Sequence, residues 1–226
     1  MLRQSWWKIL AVVLLLYTCT MGFMVKIPQL DGRLQHTIRN LFFHVPMWFG
    51  MMILFIVSVI YAIKFLNKHS DVADIYSVEY ARSGLLFGVL GIVTGAIWAN
   101  YQWGAAWSSD PKQNGAAIAL LIYFAYFVLR GSVTDMDKRS KLSAVYNIFA
   151  FCMLFPTIWI LPRMAESLHP GGQGSEGNPA LNGGDLDPQM RTVFWPAVIG
   201  WTLLGVWITS LRIRYRLLNE KQFANG

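Results

Sequence analysis

Six apolar runs, at roughly residues 6–25, 42–65, 84–102, 116–130, 144–162 and 193–211, constrain this chain more than any other feature of it. A helix needs about 20 largely apolar residues to cross the hydrocarbon layer of a bilayer, and each run approaches or exceeds that length. With 55% of its 226 residues hydrophobic and only 14% charged, the chain lacks the polar surface of an ordinary soluble domain. The expected fold is therefore all-α, a polytopic membrane bundle of six transmembrane helices forming one domain over 1–226. No small-residue cleavage site follows the first run, which predicts a retained anchor.

Six spans place both termini on one side. The net charge of +7 invites nucleic acid as a partner, but the basic residues sit at alternate helix ends and topology accounts for them. Thirteen (Arg3, Lys8, Lys64, Lys68, Arg82, Arg130, Lys138, Arg139, Lys141, Arg212, Arg214, Arg216 and Lys221) fall on one side; six (Lys26, Arg33, Arg39, Lys112, Arg163 and Arg191) fall on the other. By the positive-inside rule the termini are cytoplasmic, and residues 26–40, 99–115 and 163–192 face outward. Arg212, Arg214 and Arg216 are expected to anchor the last span against anionic membrane lipid. The cysteines, Cys19 and Cys152, form neither a CxxC pair nor a CxxCH site, which excludes thiol exchange and covalent haem attachment. No P-loop, dinucleotide fingerprint, HExxH or nucleophile elbow is present.

The most distinctive outward stretch is the tryptophan-rich segment 98–112, from Trp98 through Trp103, Trp107 and Asp110 to Lys112. Trp103 and Trp107 are four apart, so on a helical turn their rings share one face, either as part of an interfacial aromatic belt or as a surface for a large flat ligand. His44 opens the second span just before Pro46, a place where a histidine is either solvated or a ligand. Arg33, His36 and Arg39 make the first outer loop basic, as a solvated loop or as a rim for an anion. The third span carries Gly84, Gly88, Gly91 and Gly95 at helix-packing spacing. The segment 64–83, with His69, Asp71, Asp74 and Glu79, reads as a solvated inner loop, and Pro156 is expected to kink the fifth span. The outer loop after it holds His169 and a glycine-rich stretch, 171–184, of the kind that usually serves as a linker.

Three of these motifs resemble one family in the same order. WGxxWxxDPK resembles the WWD signature of haem-handling proteins of cytochrome c biogenesis. RxxxxHVPxxW around His44 and SLHPGG followed by DPxMR around His169 resemble the two histidine-bearing segments of the CcmC branch, and the likeness covers nearly the whole chain. Ser109, where the family commonly has an aromatic residue, and the long glycine loop depart from its pattern. The resemblance implies a cell inner membrane protein that binds haem b at the outer face and presents it to the periplasmic haem chaperone CcmE. CcmA and CcmB transporter subunits and a small CcmD-like protein are the implied partners. This role assigns the chain no bond-breaking chemistry and makes it no enzyme.

On that reading His44 and His169 are the axial iron ligands, because ligands on opposite porphyrin faces must come from separate elements. Trp98, Trp103 and Trp107 offer apolar surface, Asp110 orders the loop or orients a neighbouring donor, and Lys112, Arg39 and Arg191 are candidates to meet the propionates. Two alternatives stand beside it. A CcsA-like component of a haem lyase would have a further histidine near the end of the fourth span, which instead reads Tyr-Phe-Val-Leu-Arg130. A b-type electron carrier would bury histidine pairs in mid-bundle, whereas His36, His44, His69 and His169 all lie near span ends or in loops. The topology is testable: single cysteines at Gln113 and Gly174 should react with an impermeant thiol reagent in intact spheroplasts, and labelling only after lysis would overturn the orientation.

Overall fold

The structure, a computed structural model, describes residues 4–30, 32–169 and 186–224, and all regular structure among them is helical. The helices are α1 (Trp6–Met24), α2 (Leu34–Thr37), α3 (Leu41–Lys68), α4 (Asp71–Trp103), α5 (Pro111–Ser132), α6 (Met136–Leu154) and α7 (Pro188–Ala224). Six helical segments are long and apolar enough to cross a membrane, as the six runs predict, and the chain is a multi-pass membrane bundle. The glycine-rich stretch 171–184, including the labelling position Gly174, lies outside the described residues.

Helix α4 is the spine of the bundle, packed most extensively against α3, to which it runs antiparallel. Its four glycines form a column on one face, and each seats a side chain of α3. A Cβ at Gly84 would come within 2.7 Å of Phe55, at Gly88 within 2.8 Å of Met51, at Gly91 within 2.8 Å of Trp48 and at Gly95 within 2.6 Å of His44. Steps of four, three and four along α4 are matched by the same steps backward along α3, which is the spacing of one helical face on each. Without the hydrophobic effect to drive helices together in lipid, such close approach is what makes dispersion contact between them large. Phe55 then stacks on Tyr123 of α5 at 3.6 Å, and Trp7 of α1 meets Trp207 of α7 edge to face at 6.4 Å.

The expectation of an inner loop over 64–83 is corrected. Only His69 and Ser70 separate α3 from α4: His69 takes a left-handed conformation at φ 49° and its N–H bonds the Phe65 carbonyl at 2.7 Å. Hydropathy falls at Asp74 and Glu79, but both are buried inside the bundle and paired. Arg130 of α5 grips Asp74 through both guanidinium nitrogens, one at 2.9 Å, with each residue 7% exposed. Glu79 accepts from Arg212 of α7 at 2.7 Å, with Arg216 and Arg82 at 3.5 and 3.7 Å. Arg212 and Arg216 thus both pair with this carboxylate. At the same level, Asn147 of α6 donates to the hydroxyls of Ser58 and Ser77 at 2.7 and 3.1 Å.

At Pro156, where a kink is expected, the winding of the helix changes. Lacking an N–H, it opens a π-helical turn over Phe155–Ile160, followed by a 3₁₀ turn over Leu161–Arg163. The N-terminal part of α5 rests on this irregular backbone, for a Cβ at Gly115 would lie 2.0 Å from the Thr157 carbonyl oxygen. Thus the start of α5 and the segment after α6 are held beside the end of α4.

Asp74→Ala should leave Arg130 buried without its partner and cost about 3–5 kcal/mol of stability. Thermal unfolding in detergent checks this: the single variant should melt well below the parent, and the Asp74→Leu, Arg130→Leu double variant should regain most of the difference.

Candidate functional site

The end of α4 is set by Gly104, whose φ of +82° suits glycine and whose N–H closes the helix onto the Asn100 carbonyl at 3.0 Å. This ends the helical register before Trp107. The expectation that Trp103 and Trp107 share a helical face is therefore corrected. The indoles that meet are Trp98 and Trp103, 5.1 Å apart and edge to face, while Trp107 lies beyond the helix and is 47% exposed.

His169 joins this pair from the segment after α6. Its ring centroid is 4.8 Å from that of Trp103 and 6.4 Å from that of Trp98. What holds it there is Asp110, 4% exposed. Asp110 is the N-cap of α5: its Oδ1 accepts from the Lys112 backbone N–H at 2.9 Å, and Pro111 follows in the first turn, where its missing N–H costs nothing. The same carboxylate accepts from the Ser167 hydroxyl at 2.8 Å, the Leu168 N–H at 2.7 Å and His169 Nδ1–H at 2.9 Å. The Ser167 hydroxyl also accepts from the His169 backbone N–H at 3.1 Å, which tightens the turn. One buried acid thus caps a helix and pins a loop.

Electrostatics agree with that geometry. Burial works against the Asp110 charge, but the Ser167 hydroxyl, His169 and the Leu168 and Lys112 amides outweigh it and hold the carboxyl below its ordinary range. For His169 burial dominates and lowers the imidazole pKa, with Asp110 opposing it through charge and hydrogen bond. His169 is therefore neutral at pH 7, its proton on Nδ1 and its lone pair on Nε2.

His44 stands in the first turn of α3 against the recess at Gly95. Its Nδ1 lies 3.1 Å from the Thr94 hydroxyl, and the Trp48 indole N–H donates to its Nε2 at 3.3 Å. Thr94 and Trp98 are one turn apart on α4, so His44 and His169 meet successive turns of one helix end. Trp48, Thr94 and Ser167 belong to this site although no sequence expectation assigned them. Trp48 was visible as the residue one turn after His44; Thr94 and Ser167 carry no signal without the fold.

The predicted cations are placed differently from one another. Arg39 donates to the Gly22 and Val25 carbonyls at 2.8 and 3.0 Å, tying down the C-terminal end of α1. In the first outer loop Arg33 donates to the Tyr101 carbonyl at 3.3 Å and Thr37 to Gln102 at 3.1 Å, lacing the loop and α2 to the end of α4. Arg191 donates through Nε to the Leu186 carbonyl at 2.9 Å, and Lys112 stands half-buried in the first turn of α5. His36 is exposed and lines a separate open cleft with Lys26, Gln35, Asp187 and Gln189, which neither His44 nor His169 borders. His69 sits in the turn at the opposite end of the bundle.

Residues 2–225 match the family model described as heme exporter protein C. The chain is 26% identical over 191 residues to the heme exporter protein C of Haemophilus influenzae, a match covering 84% of this chain and 75% of that protein. It is 23% identical over 187 residues to the heme exporter protein C of Rhodobacter capsulatus, covering 79% and 72%. It is also 38% identical over 98 residues to the cytochrome c biogenesis protein CcsA of Prochlorococcus marinus, where the match takes in 43% of this chain but only 31% of the relative's length.

A proton titration followed by NMR of ring-labelled histidine tests the site. The His169 midpoint should lie below the ordinary value of about 6.5, and Asp110→Asn should lower it further, because the carboxylate is what favours the imidazolium. Both His169 and Asp110 have lowered pKa values in the folded protein, so docking of residues 167–169 is fully stabilised above their unfolded pKa values and weakens as pH falls through the folded ones. A midpoint raised by Asp110→Asn would contradict this arrangement.

Proposed function

The chain belongs to the heme exporter protein C family, and from that membership we propose that it binds haem as cargo at the outer face of the cytoplasmic membrane and hands it to a periplasmic haem chaperone, CcmE, for cytochrome c maturation. The observation that carries this reading is the convergence of His44 and His169 on successive turns of α4, beside the Trp98 and Trp103 rings. Haem iron accepts two axial donors, and neutral imidazoles supply them. The donor set fits. His169 is kept neutral by burial and offers Nε2, His44 offers its own Nε2, and the indoles present flat apolar surface of the kind a porphyrin face or edge covers.

The remaining roles follow from position. Asp110 is a positioning residue: it fixes the His169 tautomer and orientation without touching iron, as outer-shell carboxylates do for metal-bound histidines. The propionates are assigned to Lys112 and Arg191, charged groups that match carboxylates, whereas Arg39 acts through the end of α1. Trp107, being exposed, offers apolar surface to the cargo or to the partner that receives it. Haem of the b type in bis-histidine coordination, an outward-facing site with cytoplasmic termini, and assembly with CcmA, CcmB and a CcmD-like protein complete the reading. It is a delivery role, with no covalent step assigned to this chain.

The likeness to CcsA keeps a lyase component as the second reading. A histidine pair in the inner half of the bundle would favour that reading; among the described residues the buried polar groups there include Asp74, Glu79, Arg130, Asn147, Thr209 and serines, and none is a histidine.

Purified with haem, the parent protein should give a six-coordinate low-spin spectrum. His44→Ala and His169→Ala should each shift it toward five-coordinate high-spin, and His36→Ala and His69→Ala should leave it unchanged. A low-spin spectrum surviving in the His44→Ala, His169→Ala double variant would sink the ligand assignment.

A further inference from the structure

The two imidazoles of the site are held in different states. His169 commits Nδ1–H to Asp110 at 2.9 Å, and its Nε2 has no hydrogen bond among the described residues. His44 has partners on both nitrogens, Thr94 at 3.1 Å and the Trp48 indole at 3.3 Å. The tautomer follows from the partners. An indole N–H can only donate, so Nε2 of His44 carries the lone pair and Nδ1 carries the proton. The Thr94 hydroxyl donates to the Leu90 carbonyl at 2.8 Å and is left to accept from Nδ1–H.

Trp48 is built into this position. It follows His44 by one turn of α3, and the two rings meet edge to face at 80° with centroids 6.1 Å apart. Its indole fills the recess at Gly91, where a Cβ would come within 2.8 Å of the ring, just as His44 fills the recess at Gly95. The sequence places the glycines, the indole and the imidazole so that the N–H faces the one nitrogen a metal could use.

We propose that Trp48 caps His44, its indole N–H occupying the lone pair that His44 would give to haem iron. His169 is then the first axial ligand to engage and His44 the second, once the indole has turned aside. One lone pair cannot serve a hydrogen bond and an iron–nitrogen bond together, so the indole competes directly with the cargo. The sequence of ligation rests on the reading of His44 and His169 as ligands; the cap itself does not.

The test is arranged to separate the two. In protein free of haem, carbethoxylation by diethyl pyrocarbonate attacks the unprotonated ring nitrogen and is read at each histidine by mass spectrometry. His44 should react far more slowly than exposed His36 in the parent, and Trp48→Phe should speed His44 alone, roughly 2- to 10-fold, the range that one neutral hydrogen bond supports. Gly91→Ala, which displaces the indole without removing its N–H, is the second variant and should move His44 in the same direction. With haem, stopped-flow spectra of the parent should pass through a five-coordinate stage before the six-coordinate one, and Trp48→Phe should shorten that stage by a similar factor. Carbethoxylation of His44 unchanged by either variant overturns the cap, as would slower six-coordination in Trp48→Phe. If the cap is released on schedule while His44→Ala leaves the haem spectrum intact, the ligand assignment has failed and the cap stands.

Discussion

The glycine column of α4 is the constraint on which the rest of the structure depends. In a bilayer the helices are formed by their own backbone hydrogen bonds, and what remains to be decided is how closely they approach. Gly84, Gly88, Gly91 and Gly95 let α3 lie against α4 with Phe55, Met51, Trp48 and His44 received in turn. The lower two contacts belong to the packed core, where Phe55 continues into Tyr123. The upper two belong to the site. There is no boundary between them, so the register that packs the core is the same register that presents His44 to Thr94 and Trp48. A methyl group at any of the four positions would press on the seam and shift the imidazole with it.

The number and class of the elements were legible in the sequence because the apolar runs have the length of spans and backbone satisfaction in lipid admits little else. Their ends were less legible, for a physical reason that α4 makes plain. Averaged hydropathy sees Asp74 and Glu79 as charges that belong in water. Inside the fold they are neutralised by Arg130 and by Arg212 and Arg216, from α5 and α7, more than 50 residues away in each case. A buried pair and a solvated pair have the same composition. The helix consequently begins at Asp71, a dozen residues before the apolar run does.

At the candidate site, the structure brings some of the motif residues together and leaves others apart. His44, Trp98, Trp103, Asp110 and His169 do converge. Trp107 does not, because periodicity predicts a shared face only while the helix continues, and Gly104 stops it one residue after Trp103. Arg39 was a candidate by side and charge alone, and the unpaired carbonyls at the end of α1 offered it a nearer partner. Asp110 was legible as an orienting group, yet its double use as helix cap and loop anchor needs the turn at Ser167 and Leu168 to be seen in space.

The two histidines are supported to very different degrees. His44 is part of α3 and wedged at Gly95, so withdrawing it means parting the α3–α4 seam. His169 is held by a short segment from which a hydroxyl, an amide and an imidazole all bond one carboxylate, with its ring beside Trp98 and Trp103. Hydrogen bonds to a charged acceptor contribute about 1.5–3 kcal/mol each against water, which keeps the segment docked most of the time but leaves its undocking within reach of a binding partner's energy. The same bonds weaken together on acidification, since both Asp110 and His169 take up protons more readily once undocked. On the proposal that His44 and His169 hold haem, the ligand that yields on release is His169, and the surface that opens is the one bearing Trp98, Trp103 and the exposed Trp107.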